Sequence, residues 1–349
     1  MMLKASRIKL LIALKPCDKD AFIYTMVTLL QYQQSFQDPS IAFDSQNPKS
    51  HATYVGFGNN EIISLSFLTN QDNNMIATLS KRTFAAVSSL RLLSTVATAL
   101  TMADKPCVQR ALESPNSPSS VLSFFYGVDY DDQNEYQKVM RQGTPMKEMQ
   151  EIWYGGGDEY DAMCQTFIPV IRSVVGEPEK LKEEQPEEYT KWNSSVDGLM
   201  SQVLLCDQLS RNAFRGKEEA FKHDPVGVKH VQLLVADYLK HDPMQQSLPG
   251  EFYPGYLSFM VTGLMHSEDL HNHDLCAELL KAAIDEHKDN KIVVEILEFQ
   301  KEFLKDHRDV VEKFGRYPHR NAKKGRETTP EEQKWLDDEE NLPGWAKSQ

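Results

Sequence analysis

Three short stretches of the sequence crowd arginine, histidine, carboxylate and amide side chains together. They read LLCDQLSRNAFRG at 204–216, MHSEDL at 265–270 and FGRYPHRN at 314–321. The forked guanidinium group of arginine suits bidentate binding of carboxylate or phosphate. Histidine suits proton transfer near neutral pH. The three stretches therefore predict either a site for a small anion or an internally paired network of charges.

The stretches supply twelve candidate ligand-binding residues. These are Asp207, Gln208, Arg211, Asn212, Arg215, His266, Glu268, Asp269, Arg316, His319, Arg320 and Asn321. His266, His319 and Glu268 are also the candidates for acid–base catalysis, with Glu268 or Asp207 orienting one histidine. No cofactor loop and no nucleophile motif accompanies them, so the sequence indicates no reaction class and leaves open whether the protein is an enzyme. We expect no cofactor.

Each polar stretch lies at the end of an apolar helix. Because a helical residue turns about 100°, Asp207, Arg211 and Arg215 continue a stripe that begins apolar. Asp207 and Arg211 are four residues apart and can pair within the helix. Ser267 can cap the helix that follows it. Pro318 disfavours helical angles at Tyr317, so Arg316 and His319 are expected on an extended turn. We expect the three helix ends to meet at one place.

Apolar residues recur with a period near 3.6 from Ser119 onward, which predicts an all-α domain. The stretch 256–265 is apolar on nearly all sides and predicts a buried helix. A helix over 291–314 should end at the glycine that follows it. The sequence TPEE at 329–332 predicts a capping box with a proline start. The charged stretch 181–189 is interpreted as an exposed linker.

Charge divides the chain into two parts. Residues 1–103 carry a net charge of +3, whereas 104–349 carry −16. An acidic body is repelled by nucleic acid and by anionic lipid, so we expect neither as a partner. No apolar run reaches the roughly 18 residues of a membrane span. The five cysteines form no CxxC pair and predict no disulfide framework or zinc site. Nothing indicates the oligomeric state.

Residues 75–103 have the composition of an import presequence. They lack Asp and Glu, carry Lys81, Arg82 and Arg91, and place apolar residues at helical spacing. A cationic amphipathic helix is typical of matrix import, although a buried helix has a similar pattern. We expect a mitochondrial or other organellar location if translation starts at or before Met75, and a cytoplasmic one otherwise.

The domain prediction has three parts. Residues 1–74 have little periodicity and are expected to form a low-order extension, which would be a gene-model artefact if Met75 is the true start. Residues 75–103 are the candidate presequence. Residues 115–349 are expected to form a single all-α domain.

Five ordered blocks of this domain resemble the signature of domain-of-unknown-function family 924. They are the first two polar stretches, the third polar stretch extended to FGRYPHRNAKKGRETTPEE at 314–332, VLSFFYG at 121–127 and IWYGGGDEYDAMCQTF at 152–167. The resemblance covers roughly 119–349 and implies a tetratricopeptide-like helical bundle or short α-solenoid. It also implies that the family retains the twelve candidate residues. No biochemical role comes with the resemblance.

The sequence departs from the family pattern at three places. Ser210 stands where a proline is usual, and Gly263–Met265 replaces a proline-containing approach to His266. Lys323–Lys324 replaces a more apolar pair before Gly325. These departures are expected to alter helix ends near the site and to leave its polar groups in place.

Several functions remain open. The first is a pocket for a small anionic molecule or a peptide carboxylate. The second is a tetratricopeptide-like interaction scaffold, in which the polar cluster is a structural salt-bridge network and stacked helices hold a peptide. Four candidate arginines against three candidate carboxylates leave a charge of +1, which such a network could nearly satisfy. The third is an enzyme using His266 and His319. Trp153 and Trp192 are interpreted as core residues.

A metal site is the weakest alternative. His266, Glu268, Asp269, His271 and His273 are close in sequence. On a helix, however, His271 and His273 diverge by about 200°. Histidines on an acidic helix surface are usually solvated, so we expect no metal site.

Overall fold

The protein is seen here as a computed structural model. It describes residues 52–58, 61–69, 75–80, 102–155, 157–241 and 246–347. The chain divides into two compact units, Met1–Leu93 and Ser94–Gln349. Candidate presequence residues 81–101 and the first 51 residues lie outside the described residues, so the import presequence and the proposed domain boundaries stay predictions.

The N-terminal unit contains a three-stranded antiparallel sheet. Its strands are β1 (Ala52–Gly58), β2 (Glu61–Thr69) and β3 (Met75–Ser80), in the order β1-β2-β3. Gly58 pairs with Glu61, and Thr69 pairs with Met75. β3 occupies the first six residues of the candidate presequence, where apolar spacing predicted a helix. Pairing of its backbone with β2 stabilises the extended form instead.

The second unit is helical in every element described from residue 102 onward, which confirms the predicted all-α class. Its first helices are α1 (Pro106–Glu113), α2 (Pro118–Tyr126), α3 (Gln133–Gln142), α4 (Thr144–Glu148), α5 (Gln150–Gly155), α6 (Asp158–Gln165), α7 (Ile168–Val170), α8 (Pro178–Glu184), α9 (Pro186–Asn193) and α10 (Val196–Val203). Short π-helices follow α7 and α10, over Ile171–Val175 and Leu204–Leu209. The tetratricopeptide-like arrangement of these helices stays a prediction.

The remaining elements complete the unit. They are α11 (Ser210–Ala213), a 3₁₀ turn (Glu218–Phe221), α12 (Asp224–Tyr238), α13 (Pro254–Met265), α14 (Leu270–Glu286), α15 (Lys291–Phe314), a second 3₁₀ turn (Pro318–Arg320), α16 (Pro330–Leu336) and α17 (Gly344–Lys347). No helix in the described ranges is long and apolar enough to cross a membrane.

Helix ends follow the local signals in the sequence. Asn290 caps α15 by accepting a hydrogen bond from the Val293 N–H. Gly315 ends the same helix in the left-handed conformation, with φ of 69°, which glycine adopts without a Cβ clash. Thr329 and Glu332 form the predicted capping box of α16. The predicted C-terminus of α15 and the predicted N-terminus of α16 are thus confirmed.

Helix α13 lies at the centre of the unit. All twelve of its residues are buried, as its apolar sequence predicted, and it packs against α10, α12, α14 and α15. Gln300 of α15 donates to the Ser258 carbonyl of α13 at 3.1 Å. Trp153 and Trp192 are also buried in the core. The helix before the second polar stretch is therefore held from several sides.

The predicted linker over 181–189 is wrong, because most of it is helical. α8 and α9 each place a proline, Pro178 or Pro186, in the first turn. A proline there costs no hydrogen bond, since the first-turn N–H groups have no intrahelical acceptor. Leu181 anchors α8 in the core, while most of the neighbouring charged residues are exposed.

Three tyrosines form a chain of hydrogen bonds on one carboxylate. The hydroxyl groups of Tyr136 and Tyr256 are 2.8 Å apart. Tyr256 donates to Asp197 Oδ1 at 2.7 Å, and Tyr130 donates to Asp197 Oδ2 at 2.6 Å. We call this group the tyrosine chain. It links α2–α3, α10 and α13 without using any candidate site residue.

Candidate functional site

The first polar stretch begins on a widened helix. Leu204–Leu209 is a π-helix, so the regular α-helix predicted for this stretch is wrong there. The Ser210 N–H and hydroxyl both donate to the Leu205 carbonyl, the hydroxyl at 2.7 Å. α11 then ends at Ala213, which places Arg215 beyond the helix. Local π-helices occur frequently at functional sites.

Five residues from the three polar stretches and α12 meet in what we call the Asp207 centre. It consists of Asp207, Arg211, Asp224, His266 and Arg320. His266 Nδ1 lies 2.7 Å from Asp207 Oδ1, and Arg211 donates to the same oxygen at 3.3 Å. Arg211 and Arg320 both pair with Asp224, at 2.8 and 3.3 Å. Arg320 also donates to the His266 carbonyl at 2.9 Å.

Asp207 is the carboxylate of this centre that contacts His266. Burial by itself would raise its pKa, but the His266 charge and hydrogen bond, the Arg211 charge and an N–H from Gln208 together lower that pKa well below its usual range. The carboxylate is therefore ionised and accepts hydrogen bonds only. In the neutral form of His266, the Nδ1 that faces this carboxylate would carry the hydrogen, and Nε2 would be the unprotonated nitrogen.

Three cationic side chains beside the Asp207 centre contact one aromatic ring, that of Phe221. The guanidinium carbons of Arg211 and Arg320 lie 4.4 and 5.0 Å from the Phe221 ring centroid, and Lys323 Nζ lies 5.8 Å from it. Such cation–π contacts stabilise positive charge on an aromatic face. Burial, together with the charges of Arg215 and Arg211, lowers the pKa of Lys323. The environment of this ammonium group is therefore cationic.

Arg215 and Asn212 belong to a neighbouring pair. Arg215 holds Asp161 of α6 in a bidentate contact, at 2.6 and 3.0 Å. It also donates to Asn212 Oδ1 at 2.6 Å, and Asn212 donates to the Gln208 carbonyl at 2.9 Å. This pair fixes the end of the first polar stretch against α6.

Arg316 and Asn321 are directed to the capping box of α16. Arg316 pairs with Glu332 through two hydrogen bonds, at 2.6 and 2.9 Å. Asn321 donates to the same carboxylate at 3.2 Å. The hydrogen bond from Arg316 is the main cause that lowers the pKa of Glu332 to about 2, with the Thr329 N–H and Asn321 contributing. These two candidate residues therefore anchor a helix start.

Glu268 and Asp269 have structural partners as well. Glu268 forms a bidentate pair with Arg326, at 2.7 and 2.9 Å, and accepts from the Tyr317 N–H at 3.0 Å. Asp269 caps α14 through the His271 N–H. The prediction that Ser267 is this cap is wrong, because Ser267 instead accepts from the Asp269 N–H at 3.2 Å. Asp207, rather than Glu268, orients His266.

His319 lies in an aromatic cluster next to the centre. Its ring centroid is 5.3 Å from Trp345 and 5.7 Å from Tyr317. Trp345 stacks on His307 with ring centroids 4.0 Å apart, and the ring centroids of His307 and His266 are 5.8 Å apart. Burial lowers the pKa of His307 to about 3, with the His266 charge adding to the effect. His307 is thus neutral and covers one side of His266.

Other parts of the surface do not add to this site. Among the residues that the structure describes, no group of three His, Cys, Asp or Glu side chains is placed to hold a metal ion. A surface depression of 330 Å³ lies between α12 and α14 and is lined by His241, His271, Asp274 and Glu278, among others. None of the candidate ligand-binding residues lines it.

Sequence reasoning missed several residues of these networks. They are Asp161, Phe221, Asp224, His307, Arg326, Glu332 and Trp345. One signal was available: the candidate arginines exceeded the candidate carboxylates, so a further acid was required. Asp161 stood in a family-like block and was assigned no role, and Glu332 was interpreted as part of the capping box. Asp224 and Arg326 had no distinctive spacing.

The fold and the networks define a class of protein: an all-α domain whose buried arginines are paired internally with carboxylates. The family of bacterial proteins of unknown function known as DUF924 matches residues 121–340. The chain belongs to this family, as the sequence blocks predicted.

Two further comparisons are less informative. A solved structure of a protein of unknown function from Agrobacterium tumefaciens is similar, with 24% sequence identity and a TM-score of 0.37. The match covers 53% of this chain and 88% of that chain. No curated protein matches the sequence.

Proposed function

We propose that the protein binds a small anionic ligand, a carboxylate or a phosphate, at the cationic surface beside Phe221. The observation that carries the proposal is the position of Lys323. Its ammonium group shares the Phe221 ring with Arg211 and Arg320. Among the described residues it forms no ion pair with a carboxylate.

Charge balance supports a site at Lys323 rather than at the arginine forks. Each arginine of the networks already has a carboxylate. The pairs are Arg211 with Asp207 and Asp224, Arg320 with Asp224, Arg215 with Asp161, Arg316 with Glu332, and Arg326 with Glu268. Five arginines and five carboxylates cancel, so Lys323 and its neighbour Lys324 are in excess. The charges of Asp224 and Glu268 act on Lys324, whereas those acting on Lys323 come from Arg215 and Arg211. An anion near Lys323 would regain the electrostatic stabilisation that its cationic neighbours remove.

The half-buried position of Lys323 favours a small ligand. Its side chain lies between the Phe221 ring and solvent, where a charge pair is less screened than on an open surface. Lysine acts as a compact point charge and does not require a planar, bidentate partner. Inorganic phosphate and citrate are therefore suitable first probes.

The test is thermal unfolding of the full chain with and without phosphate or citrate. A ligand at ten times its Kd stabilises the folded state by about 1.4 kcal/mol, which raises the Tm by about 3–6 °C. We expect this shift for the parent protein and its loss in Lys323→Gln.

Lys281→Gln is the matched control, because Lys281 is highly exposed and pairs with Asp285 on the surface of α14. This variant should respond to the probes like the parent. An equal shift in Lys323→Gln would place the anion elsewhere, and no shift in the parent would rule out both probes as ligands of this site.

A second candidate function is acid–base catalysis by His266. It is favoured by the 2.7 Å contact between His266 Nδ1 and Asp207, since a carboxylate that holds one imidazole nitrogen leaves the other as a base. The tautomer is measurable without a substrate. Nitrogen-detected NMR should find the Nδ1–H form in the parent and a shift toward Nε2–H in Asp207→Asn. The Nε2–H form in the parent would exclude this base.

A further inference from the structure

The outer side of α15 carries an exposed apolar surface. Ile292, Phe299 and Phe303 have exposed fractions of 39%, 61% and 37%. They are three of the four large apolar residues exposed in the described part of the chain. The two phenylalanine rings meet edge to face, with centroids 5.0 Å apart. We call these three residues the α15 face.

Helical geometry aligns the three residues. With about 100° per residue, Ile292 lies about 20° from Phe299, and Phe303 about 40° from it on the same side. Two acidic residues, Glu302 and Asp306, fall about 60° and 20° to the other side. The apolar stripe is therefore bordered by carboxylates along one edge, while its other edge turns into the core through Leu297 and Gln300.

Ion pairs around α15 leave an excess of negative charge at this edge. Every basic residue of the helix has an acidic partner: Lys291 with Glu295, Lys301 with Glu298, Lys305 with Asp309, Arg308 with Asp274 and Glu312, and Lys313 with Glu331. Glu302 and Asp306 form no such ion pair within the described residues, although both lie near enough to the Lys305 ammonium to help raise its pKa. The unpaired acids are the ones beside the phenylalanines.

We propose that the α15 face is a docking surface for an amphipathic basic helix of a partner protein. The apolar stripe of such a helix would cover Phe299 and Phe303, and its lysines or arginines would pair with Glu302 and Asp306. Helix-on-helix recognition of this kind uses anchors at i, i+3, i+4 and i+7, and the α15 face itself presents the steps of four and seven. A second copy of this chain fits poorly, because a symmetric contact brings each patch to its own copy and sets like charges together.

The test uses two fluorescent 18-residue helical peptides with the same leucine stripe. One has lysine at its polar positions and the other has glutamate. Fluorescence anisotropy with the full-length protein should show that the lysine peptide binds and that the glutamate peptide binds at least tenfold more weakly. The affinity for the lysine peptide should decrease as the salt concentration increases.

Substitutions separate this surface from general attraction to an acidic protein. Phe299→Ser should weaken binding of the lysine peptide at least tenfold. The double variant Glu302→Gln with Asp306→Asn should weaken that binding several-fold. Leu233→Ser is the matched control, since Leu233 is also exposed, at 50%, but lies on α12. Circular dichroism should show that all of the variants retain the helical content of the parent.

Other outcomes overturn the proposal. Equal binding by the parent and Phe299→Ser would mean that the peptide does not dock at this face, as would no binding by the parent. Sedimentation showing a dimer that Phe299→Ser disrupts would make a second copy the occupant. Binding to phosphatidylcholine vesicles that depends on Phe299 would make a lipid surface the occupant.

Discussion

The Asp207 centre and the tyrosine chain bury polar groups in the same helical unit in two different ways. In the Asp207 centre the groups are ions, and two arginines share Asp224. In the tyrosine chain the groups are neutral phenols, and two of them share Asp197. A buried ion requires an opposite charge, whereas a buried phenol requires a hydrogen bond. The two regions should therefore differ in what the loss of one partner costs.

Removing the shared carboxylate of the Asp207 centre should have the largest effect. Asp224→Asn leaves Arg211 paired with Asp207 alone and removes the carboxylate partner of the buried Arg320. Breaking a buried pair in this way costs about 3–5 kcal/mol. Urea unfolding followed by circular dichroism measures the change in the free energy of unfolding.

The control for this substitution is Asp285→Asn, because Asp285 is exposed and pairs with Lys281 on the surface. Its cost should stay below about 0.5 kcal/mol. A cost below about 1 kcal/mol for Asp224→Asn would mean that water or rearrangement compensates the two arginines, and the contrast between the regions would disappear.

Cutting the tyrosine chain in its middle should cost less. Tyr256→Phe removes the hydroxyl that joins Tyr136 to Asp197 and leaves the buried Tyr136 hydroxyl without its partner. An unsatisfied buried hydroxyl costs about 1–3 kcal/mol. The same urea experiment applies. A cost as large as that of Asp224→Asn would show that neutral and ionic networks are equally demanding here.

Lowering the pH should affect the surroundings of the Asp207 centre and the tyrosine chain differently, because His307 beside the centre titrates and the tyrosines do not. Burial and the charge of His266 lower the pKa of His307 to about 3. Below the ordinary histidine pKa, His307 binds a proton in the unfolded chain but not in the folded protein. The free energy of unfolding is therefore unaffected by this group above pH 6.5 and decreases as the pH falls toward 3. One such group contributes a slope of at most about 1.4 kcal/mol per pH unit.

Unfolding between pH 6.5 and 5 measures this slope apart from most carboxylate titration. His307→Gln should make this slope shallower. Tyr256→Phe should leave it unchanged, because burial raises the pKa of Tyr256 well above its usual value. If His307→Gln keeps the full parental slope, the proton uptake belongs to other histidines.

The smallest effect is expected at the inner end of the tyrosine chain. Tyr136→Phe removes one hydrogen bond but leaves Tyr256 donating to Asp197. Loss of a single neutral bond without a stranded partner costs about 0.5–1.5 kcal/mol. A Tyr136→Phe cost greater than that of Tyr256→Phe, in matched urea titrations, would reverse the assigned order of the chain.

Local signals in the sequence predicted local structure well. The buried helix α13, the end of α15 at Gly315, the capping box at Thr329 and the pairing of Asp207 with Arg211 all involve residues within a few positions of one another. The meeting of the three polar stretches was also predicted, since each contained charges that needed distant partners. The π-helix was not, because helical-wheel reasoning assumes a constant 100° step.

The partners that complete the networks could not be predicted in the same way. Asp224 is 96 residues from Arg320, and Asp161 is 54 residues from Arg215. The tyrosine chain joins positions 120 residues apart. No periodicity connects such residues, and a lone aspartate or tyrosine looks the same in sequence whether it lies at the surface or in a network. Packing of the helices alone decides these pairs.

Glu332 has a consequence for any shortened form of the protein. This one carboxylate caps α16, holds Arg316 in a bidentate contact and accepts from the buried Asn321. Residues after 329 are thus an integral part of the third polar stretch. A chain cut before Thr329 would remove the carboxylate that Arg316 and Asn321 share and leave their side chains only the Glu327 carbonyl and the Thr328 hydroxyl as hydrogen-bond partners among the described residues. Deletion at this end should therefore loosen the loop that carries His319 and Arg320.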